Sequence, residues 1–371
     1  MRLAWLAATI LAATAVAAGC GDNRAIPDAP AHPDAAHVDA PVDTPIPVDA
    51  NPLEPATLAG TGLCVDDACA QIAADVHEYA PQFVLYADLA SKRRWIQLPA
   101  GTQIDTTDMD HWVFPQGTKL WKEFTDEHGV RIETRYMAKV LADDSTPGAW
   151  FYVSYAWNPA QDATEAITQG LSGANGTDHD IPSRSQCKQC HERSKPSRIL
   201  GFSAISLDFH QSDASIMDLD DVATAGMLTT NPPGAASPHF PIPGTVAEKA
   251  AVGYLHANCS HCHNPSSNIF TNNTMINLRL DTTHLAQITD TGTYTTTVDV
   301  TATGALTPSG SDCPSSPCAP LTKLVKSGDA AGSILFFRFN ALNTQQHMPQ
   351  LGEKTTDPDG KMILQTWIDS L

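Results

Sequence analysis

The chain has little positive charge. Its 371 residues include 22 Lys and Arg against 41 Asp and Glu, for a formal net charge of −19 at pH 7. This acidic surplus argues against nucleic acid as a partner and favours solubility or docking to a basic protein. The sequence also lacks a phosphate-binding glycine loop, a Gly-x-Ser-x-Gly elbow and a His-Glu-x-x-His motif. Phosphoryl transfer, serine hydrolysis and zinc-protease chemistry therefore have no support in the sequence.

Long apolar runs are also scarce, and the clearest one lies at the amino terminus. Residues 3–18 are apolar and alanine-rich, follow Arg2, and are too short for a comfortable membrane span. The pattern predicts an export signal over residues 1–20. The end of this segment, Ala17 to Cys20, resembles a bacterial lipobox, which implies lipidation of Cys20. Ala17 is weaker than the usual leucine, so cleavage as an ordinary secreted protein stays open.

Residues 21–55 lack aromatic side chains and apolar periodicity. This Pro/Asp/Ala tract has seven acidic residues against Arg24 alone. It cannot bury a core and is predicted to be a disordered tether. With the lipid on Cys20, it predicts an exported protein anchored in the cell envelope. Gly21, where an aspartate would retain the protein at the inner membrane, favours the outer membrane and its periplasmic side.

Two Cys-x-x-Cys-His motifs are present, at Cys187 to His191 and Cys259 to His263. With 9 Cys and 14 His in the chain, chance placement would give about 0.008 such motifs. Each is the attachment signature of haem c, with two cysteine thioethers and the histidine as axial iron ligand. The sequence therefore predicts two haem c groups, at Cys187, Cys190 and His191 and at Cys259, Cys262 and His263. The alternative is a four-cysteine zinc site, which does not need either histidine.

The remaining cysteines form two Cys-x4-Cys pairs, Cys64 with Cys69 and Cys313 with Cys318. An oxidising compartment predicts two local disulfides. A metal site built from all four cysteines is the alternative, but no histidine or acidic cluster accompanies both pairs.

The fold class predicted is α+β in two domains. Residues 56–240 are predicted to be an antiparallel β-rich domain, in which Val130 to Val140 alternate between a buried and a wet face and the aromatic strand Trp150 to Trp157 is covered on both faces. The first motif is expected in a loop after this sheet. Residues 241–371 are predicted to be mostly α, like cytochrome c, with a β-rich insertion over about 266–330.

Two helices frame this second domain, over Thr245 to Asn258 and Lys361 to Leu371. They are expected to cross at Gly253 against the Trp367 face, as the first and last helices of class I cytochromes c do. Met348 lies before the last helix, so it is the predicted distal ligand of the second haem, with His347 or an empty site as alternatives.

The distal ligand of the first haem is not decided by the sequence. An open site is one possibility, and the candidate side chains are His179, His210, Met217 and Met227.

The ordered motifs resemble a functionally uncharacterised family of bacterial dihaem c-type lipoproteins. They include FVLYADLASKRRWIQLPAGT, FPQGTKLWKEF, IPSRSQCKQCHE, YLHANCSHCHNP and HMPQLG, and they span about residues 80–371. The resemblance implies two covalent haems and an envelope location. The first domain is also similar in motif order to β-sheet cytochromes whose haem is crosslinked to a lysine. That likeness implies an open distal face and Lys122 or Lys139 near the ring, whereas the residues themselves read as wet-face lysines.

Electron transfer is the function these features predict, with unidentified redox proteins and a membrane as partners. The alternative is an enzyme whose open first haem binds peroxide, hydroxylamine or nitric oxide. A third interpretation gives the haems a purely structural role.

Overall fold

The computed structural model describes residues 54–192, 199–267, 269–270, 275–303, 321–342, 344–350 and 352–371. In these residues the fold is α+β. A sheet of seven strands lies between residues 77 and 217, in the order β6-β5-β4-β3-β2-β1-β7. Every pairing is antiparallel except that of β1 with β7. The strands are β1 His77–Tyr79, β2 Ser91–Gln97, β3 Lys119–Thr125, β4 Arg131–Lys139, β5 Trp150–Trp157, β6 Thr164–Ile167 and β7 Ile216–Met217.

Both faces of the central strands are covered. Because successive side chains point to opposite faces, Ile96 and Met137 enter one apolar cluster, while Trp95 and Tyr136 enter another. The predicted aromatic strand with two covered faces is confirmed as β5. The predicted wet face of residues 130–140 is wrong, since most of the residues expected there are buried.

Two of the described helices have 13 residues each, and the others are shorter. The helices are α1 Arg184–His191, α2 Ala204–Leu207, α3 Leu219–Thr224, α4 Val246–Asn258, α5 Gly292–Thr297, α6 Ile334–Asn340 and α7 Pro358–Ser370. Among the described helices, none is long and apolar enough to cross a membrane.

The two longest of these helices pack against each other. Thr245 caps α4, and Asp357 with Pro358 begins α7, three residues before the predicted start. Leu364, Trp367 and Ile368 enter the same core as α4, as predicted. The predicted contact of Gly253 is wrong, because Gly253 lies against the Phe83 ring. The close approach between α4 and α7 occurs instead at Gly360, which lies against Tyr254.

The stretch 266–330 differs from its predicted β-rich character. Its described residues contain α5 and a 3-10 turn, Ile288–Asp290, and their strand pairing consists of isolated bridges such as Val298 with Val325. Thr side chains that hydrogen-bond to backbone carbonyls hold α5, as Thr297 Oγ1 does to Thr293 O at 2.6 Å. A threonine-rich sequence therefore forms a helical turn here rather than strands.

One predicted disulfide is confirmed, between Cys64 and Cys69, with Cα atoms 5.0 Å apart. Cys313 and Cys318 lie outside the described residues, as do Cys20, the export signal and all but the last two residues of the tether.

Residues from the two predicted domains contact each other directly. The Tyr86 N–H donates to Asn258 Oδ1 at 2.7 Å, and Thr282 Oγ1 donates to Asp110 Oδ2 at 2.9 Å. By backbone contacts the described residues form one compact unit. Functional residues of the first half, residues 56–240, and of the second half, residues 241–371, can therefore share one site.

Candidate functional site

The first Cys-x-x-Cys-His motif lies on α1 rather than in the predicted loop. Ser183 caps this helix by a capping box: its Oγ accepts from Gln186 N, and Gln186 Oε1 accepts from Ser183 N at 2.8 Å. The signal for the helix was present in the sequence as Ser-x-x-Gln. The helix puts Cys187 and Cys190 three residues apart on one face, beside His191.

Helix α1 is held against the sheet at β5. Arg184 Nε donates to Tyr152 O at 2.8 Å, and the rings of Tyr152 and His191 lie 5.4 Å apart. Cys187 packs against an apolar cluster of the sheet. Burial raises the pKa of the Cys187 thiol, although Arg135 opposes that shift.

The second motif follows α4 as a tight turn. Cys259 is the C-cap residue, and its carbonyl accepts from Cys262 N at 3.1 Å and from His263 N at 2.9 Å. Burial raises the pKa of Cys259 to about 12. His263 Nδ1 is buried and has no hydrogen-bond partner among the described residues, and burial together with Arg338 lowers the pKa of His263 to about 4. A buried, unpaired ring nitrogen is what a metal ion can satisfy.

Met348 is connected to this turn through Arg338. The Met348 N–H donates to Arg338 O at 3.0 Å, while the Arg338 guanidinium is close enough to His263 to lower its pKa. His347, the alternative ligand, is buried with Nε2 at 3.9 Å from Glu353 Oε2, and burial lowers the pKa of His347.

An open cleft of about 410 Å³ lies beside the first motif. This volume is within the roughly 300–1,000 Å³ that is usual for a site that binds one small ligand. Cys187, Cys190 and His191 line it from the first half of the chain, and His261 and Glu353 line it from the second. His261 belongs to the second motif, so the two motifs approach each other at this cleft.

Three cations form a row across the sheet beneath the cleft. Arg94 on β2 pairs in register with Lys122 on β3, which pairs with Arg135 on β4. With strands about 4.8 Å apart, the row extends over about 10 Å. Arg135 interacts electrostatically with Cys187 and Cys190, whereas Arg94 and Lys122 line an adjoining cavity together with His261.

One buried carboxylate, that of Glu133, forms an ion pair with Arg135 at one end of this row. Glu133 Oε1 accepts from Arg135 Nη2 at 2.6 Å and lies 2.7 Å from His179 Nε2. Burial alone would raise the pKa of Glu133, but Arg135 and His179 lower it below its usual value. The Glu133 carboxylate therefore has Arg135 and His179 as its partners.

Arg94 and Lys122 form no ion pair with any side chain in the described ranges. Burial lowers the pKa of Arg94, and burial with the nearby Arg94 and Arg135 lowers that of Lys122 well below its usual value. An uncompensated buried cation costs several kcal/mol. An anionic group bound where Lys122 lines the cleft, and reaching the adjoining cavity of Arg94, would offset that cost.

The predicted distal candidates of the first site separate clearly. His179 lines the cleft, but its Nε2 is engaged by Glu133. His210 is exposed, Met227 is buried in the sheet core, and Met217 packs against that core; none of the three lines the cleft. Of the two lysines, Lys122 lines the cleft, whereas Lys139 is buried elsewhere and donates to Phe114 O at 2.7 Å and Asp144 Oδ2 at 2.9 Å. Neither is the wet-face lysine that the strand pattern predicted.

Three residues in or beside the cleft have no sequence signal for their position. His261 is at one of the two unspecified positions of the second motif, and Arg94 and Glu353 occur without a motif. Cross-strand register could have pointed to Arg94 opposite Lys122, but register requires the turns between the strands to be known.

Comparison with protein-family models, with curated proteins and with solved structures finds no match for this chain. In the residues described, no group of three or more His, Cys, Asp or Glu is gathered closely enough to hold a metal ion. The four motif cysteines therefore do not form the tetrahedral cluster that a zinc site requires.

Proposed function

We propose that the chain is a dihaem c-type cytochrome that transfers electrons in the bacterial cell envelope. The observation that carries the proposal is the first motif itself. Its two cysteines and histidine border an open cleft that the half-buried Lys122 also lines, and the buried Arg94 lines an adjoining cavity beside Lys122. Haem fits both features, because its flat ring can lie in an open cleft and its two propionates are anionic. The separation of the motif cysteines supports haem over zinc.

Cys187 and Cys190 would hold the first haem as thioethers, with His191 as axial ligand. Arg94 and Lys122 would neutralise its propionates. Cys259, Cys262 and His263 would hold the second, with Met348 as distal ligand. When bound, the haems supply one-electron chemistry. The chain fixes their orientation, excludes water through the cores behind α1 and α4, and sets each potential through the axial ligands and local charge.

The finer architecture belongs to the same proposal. Residues 241–371 form a cytochrome c-like domain in which α4 and α7 cross at Gly360, and residues 56–240 form the β-rich domain of the first haem. The resemblance to dihaem lipoproteins adds a lipid on Cys20 and a tether over 21–55. These features give an exported protein on the periplasmic side of the outer membrane, with other redox proteins as partners.

Electron paramagnetic resonance of the oxidised, exported protein tests the electron-transfer role. We expect two low-spin haems whose spectra do not change when cyanide or nitric oxide is added. A redox titration should then give two one-electron steps. A high-spin haem that binds either ligand would overturn the assignment as a simple electron carrier.

The alternative function is an enzyme with an open first haem. The observation favouring it is the set of polar groups that line the cleft with His191, namely Lys122, Arg135 and His179. Such groups could bind and protonate a small molecule such as peroxide, hydroxylamine or nitric oxide. The ligand-binding experiment above separates the two functions.

A further inference from the structure

His261 occupies an unusual position for a residue inside a haem-attachment motif. It lies between Cys259 and Cys262 in sequence, yet its side chain lines the cleft of the first motif together with Cys187 and His191. It also lines the adjoining cavity with Lys122 and Arg94. The residue thus connects the second motif to the first site.

The imidazole of His261 lacks a polar partner in the part of the chain that the structure describes. Its Nδ1 is buried and has no hydrogen-bond partner among the described residues, and no side chain of those residues forms an ion pair with it. Leaving a buried polar nitrogen unpaired costs about 1–3 kcal/mol. A group that His261 binds in the cleft would recover this cost.

Other candidate ligands at the cleft are less suited. His179 Nε2 lies 2.7 Å from the Glu133 carboxylate, and Glu133 is also held by Arg135. Glu353 offers a carboxyl group rather than an imidazole. Lys122 belongs to the cation row, which is proposed to neutralise the haem propionates. A neutral imidazole is, in contrast, a common axial ligand of haem iron.

We propose that His261 is the second axial ligand of the haem attached at Cys187 and Cys190. The inference rests on the proposed function and deepens it. A nitrogen lone pair of His261 would occupy the face of the iron opposite His191, which closes the first haem to small molecules. The peptide that holds the second haem would then also ligate the first, so the two haems lie side by side.

This ligation also gives the two haems different potentials. Two histidines would ligate the first iron, whereas His263 and Met348 would ligate the second. A thioether ligand raises the potential relative to a histidine. Electrons are therefore expected to pass from the first haem to the second.

The experiment compares the exported, haem-loaded wild type with the variant His261→Ala. We expect the variant to keep two covalent haems but to lose about half of its low-spin resonance to a high-spin signal, since one of two irons loses a ligand. Added imidazole should restore the low-spin signal. His261→Met should stay low-spin and raise the potential of one haem. His210→Ala, which removes an exposed histidine, should match the wild type.

A second background identifies the haem concerned. In a Cys187→Ala, Cys190→Ala chain, which retains the second haem alone, adding His261→Ala should leave the spin state unchanged. An unchanged low-spin spectrum of His261→Ala with both haems present would overturn the inference, as would a spin change that persists in this background. Loss of the low-spin signal in Lys122→Ala or His179→Ala instead would assign the ligand to that residue. Absence of covalent haem from the wild type would mean that the proposed function itself fails.

Discussion

Buried charge is concentrated at a few side chains around the first motif. Glu133 is fully buried between Arg135 and His179. Arg135 in turn interacts electrostatically with Cys187 and Cys190. The carboxylate therefore both stabilises the sheet and fixes the surroundings of the first site. Arg94 and Lys122 continue the charge row without such a partner.

Replacing Glu133 by Ala should lower the free energy of unfolding by about 3 kcal/mol, because removing one member of a buried ion pair leaves the other uncompensated. Urea denaturation of the purified protein measures the change. The matched control is Glu127→Ala, since Glu127 is 82% exposed and its loss should change the value by less than about 0.5 kcal/mol. Equal changes in the free energy of unfolding for the two substitutions would contradict a stabilising role of the buried Glu133 and Arg135 pair.

Glu353 introduces a pH dependence of stability. Burial, with Asp88 and Asp357 nearby, raises its pKa from 4.5 to about 8. Between these values the folded state retains a proton that the unfolded state has lost, so this group weakens folding progressively as the pH rises from 4.5 to about 8. The contribution is absent below that window and constant above it.

The variant Glu353→Gln should therefore gain stability over the wild type as the pH rises from 5 to 8. Urea unfolding at several pH values measures the difference, and Glu127→Gln is the control with no such trend. A difference between variant and wild type that is independent of pH would contradict the raised pKa of Glu353.

At this scale the sequence was informative where chemistry has a fixed spacing. The two Cys-x-x-Cys-His motifs and the Cys64 to Cys69 disulfide follow from local patterns. His261, Arg94 and Glu353 acquire their meaning only from neighbours distant in sequence. Local spacing cannot predict such contacts.

Among the secondary-structure elements, α4 and α7 determine the second half of the fold. Their crossing depends on Gly360, where an added Cβ would overlap the Tyr254 side chain. Tyr254 is itself buried against Phe339 in the same core. Close packing of this kind tolerates additional volume poorly.

Replacing Gly360 by Val should cost about 1–3 kcal/mol of stability, because the added methyl groups force α4 and α7 apart. The control on the same helix is Met362→Ala, since Met362 is exposed. Thermal unfolding of both variants measures the effect. If Gly360→Val melts together with the control, the helices do not cross at this residue.

Terminal signals were used unevenly: the bounds of α4 were predicted well, whereas α1 was missed despite its Ser-x-x-Gln signal and α7 begins three residues before its predicted start. The structure shows a capping box of Thr245 with Glu248 at the start of α4, and the apolar spacing in α7 identified its buried face. The alternation in β4 predicted the strand but not its burial, because Met137 on the face expected to be wet enters an apolar cluster with residues distant in sequence, such as Phe202 and Leu228. The partner of Gly253 was wrong for the same reason, since Phe83 comes from the other half of the chain.

At the scale of the whole molecule, residues of both halves line one cleft. Hydrogen bonds such as Tyr86 to Asn258 and Thr355 to Asp88 connect the halves around it. A sequence divided at residue 240 assigns one motif to each domain and cannot show this. Adjacent haems would allow electrons to pass between them inside the protein.

The most direct test of the central claim is the number of haems bound covalently to the mature chain. We predict that intact mass and the pyridine haemochrome assay of the exported protein both give two haem c groups per chain. Replacing Cys187 and Cys190 by Ala should leave one, and replacing Cys259 and Cys262 as well should leave none. A wild-type chain that carries no covalent haem, with zinc bound instead, would contradict the account.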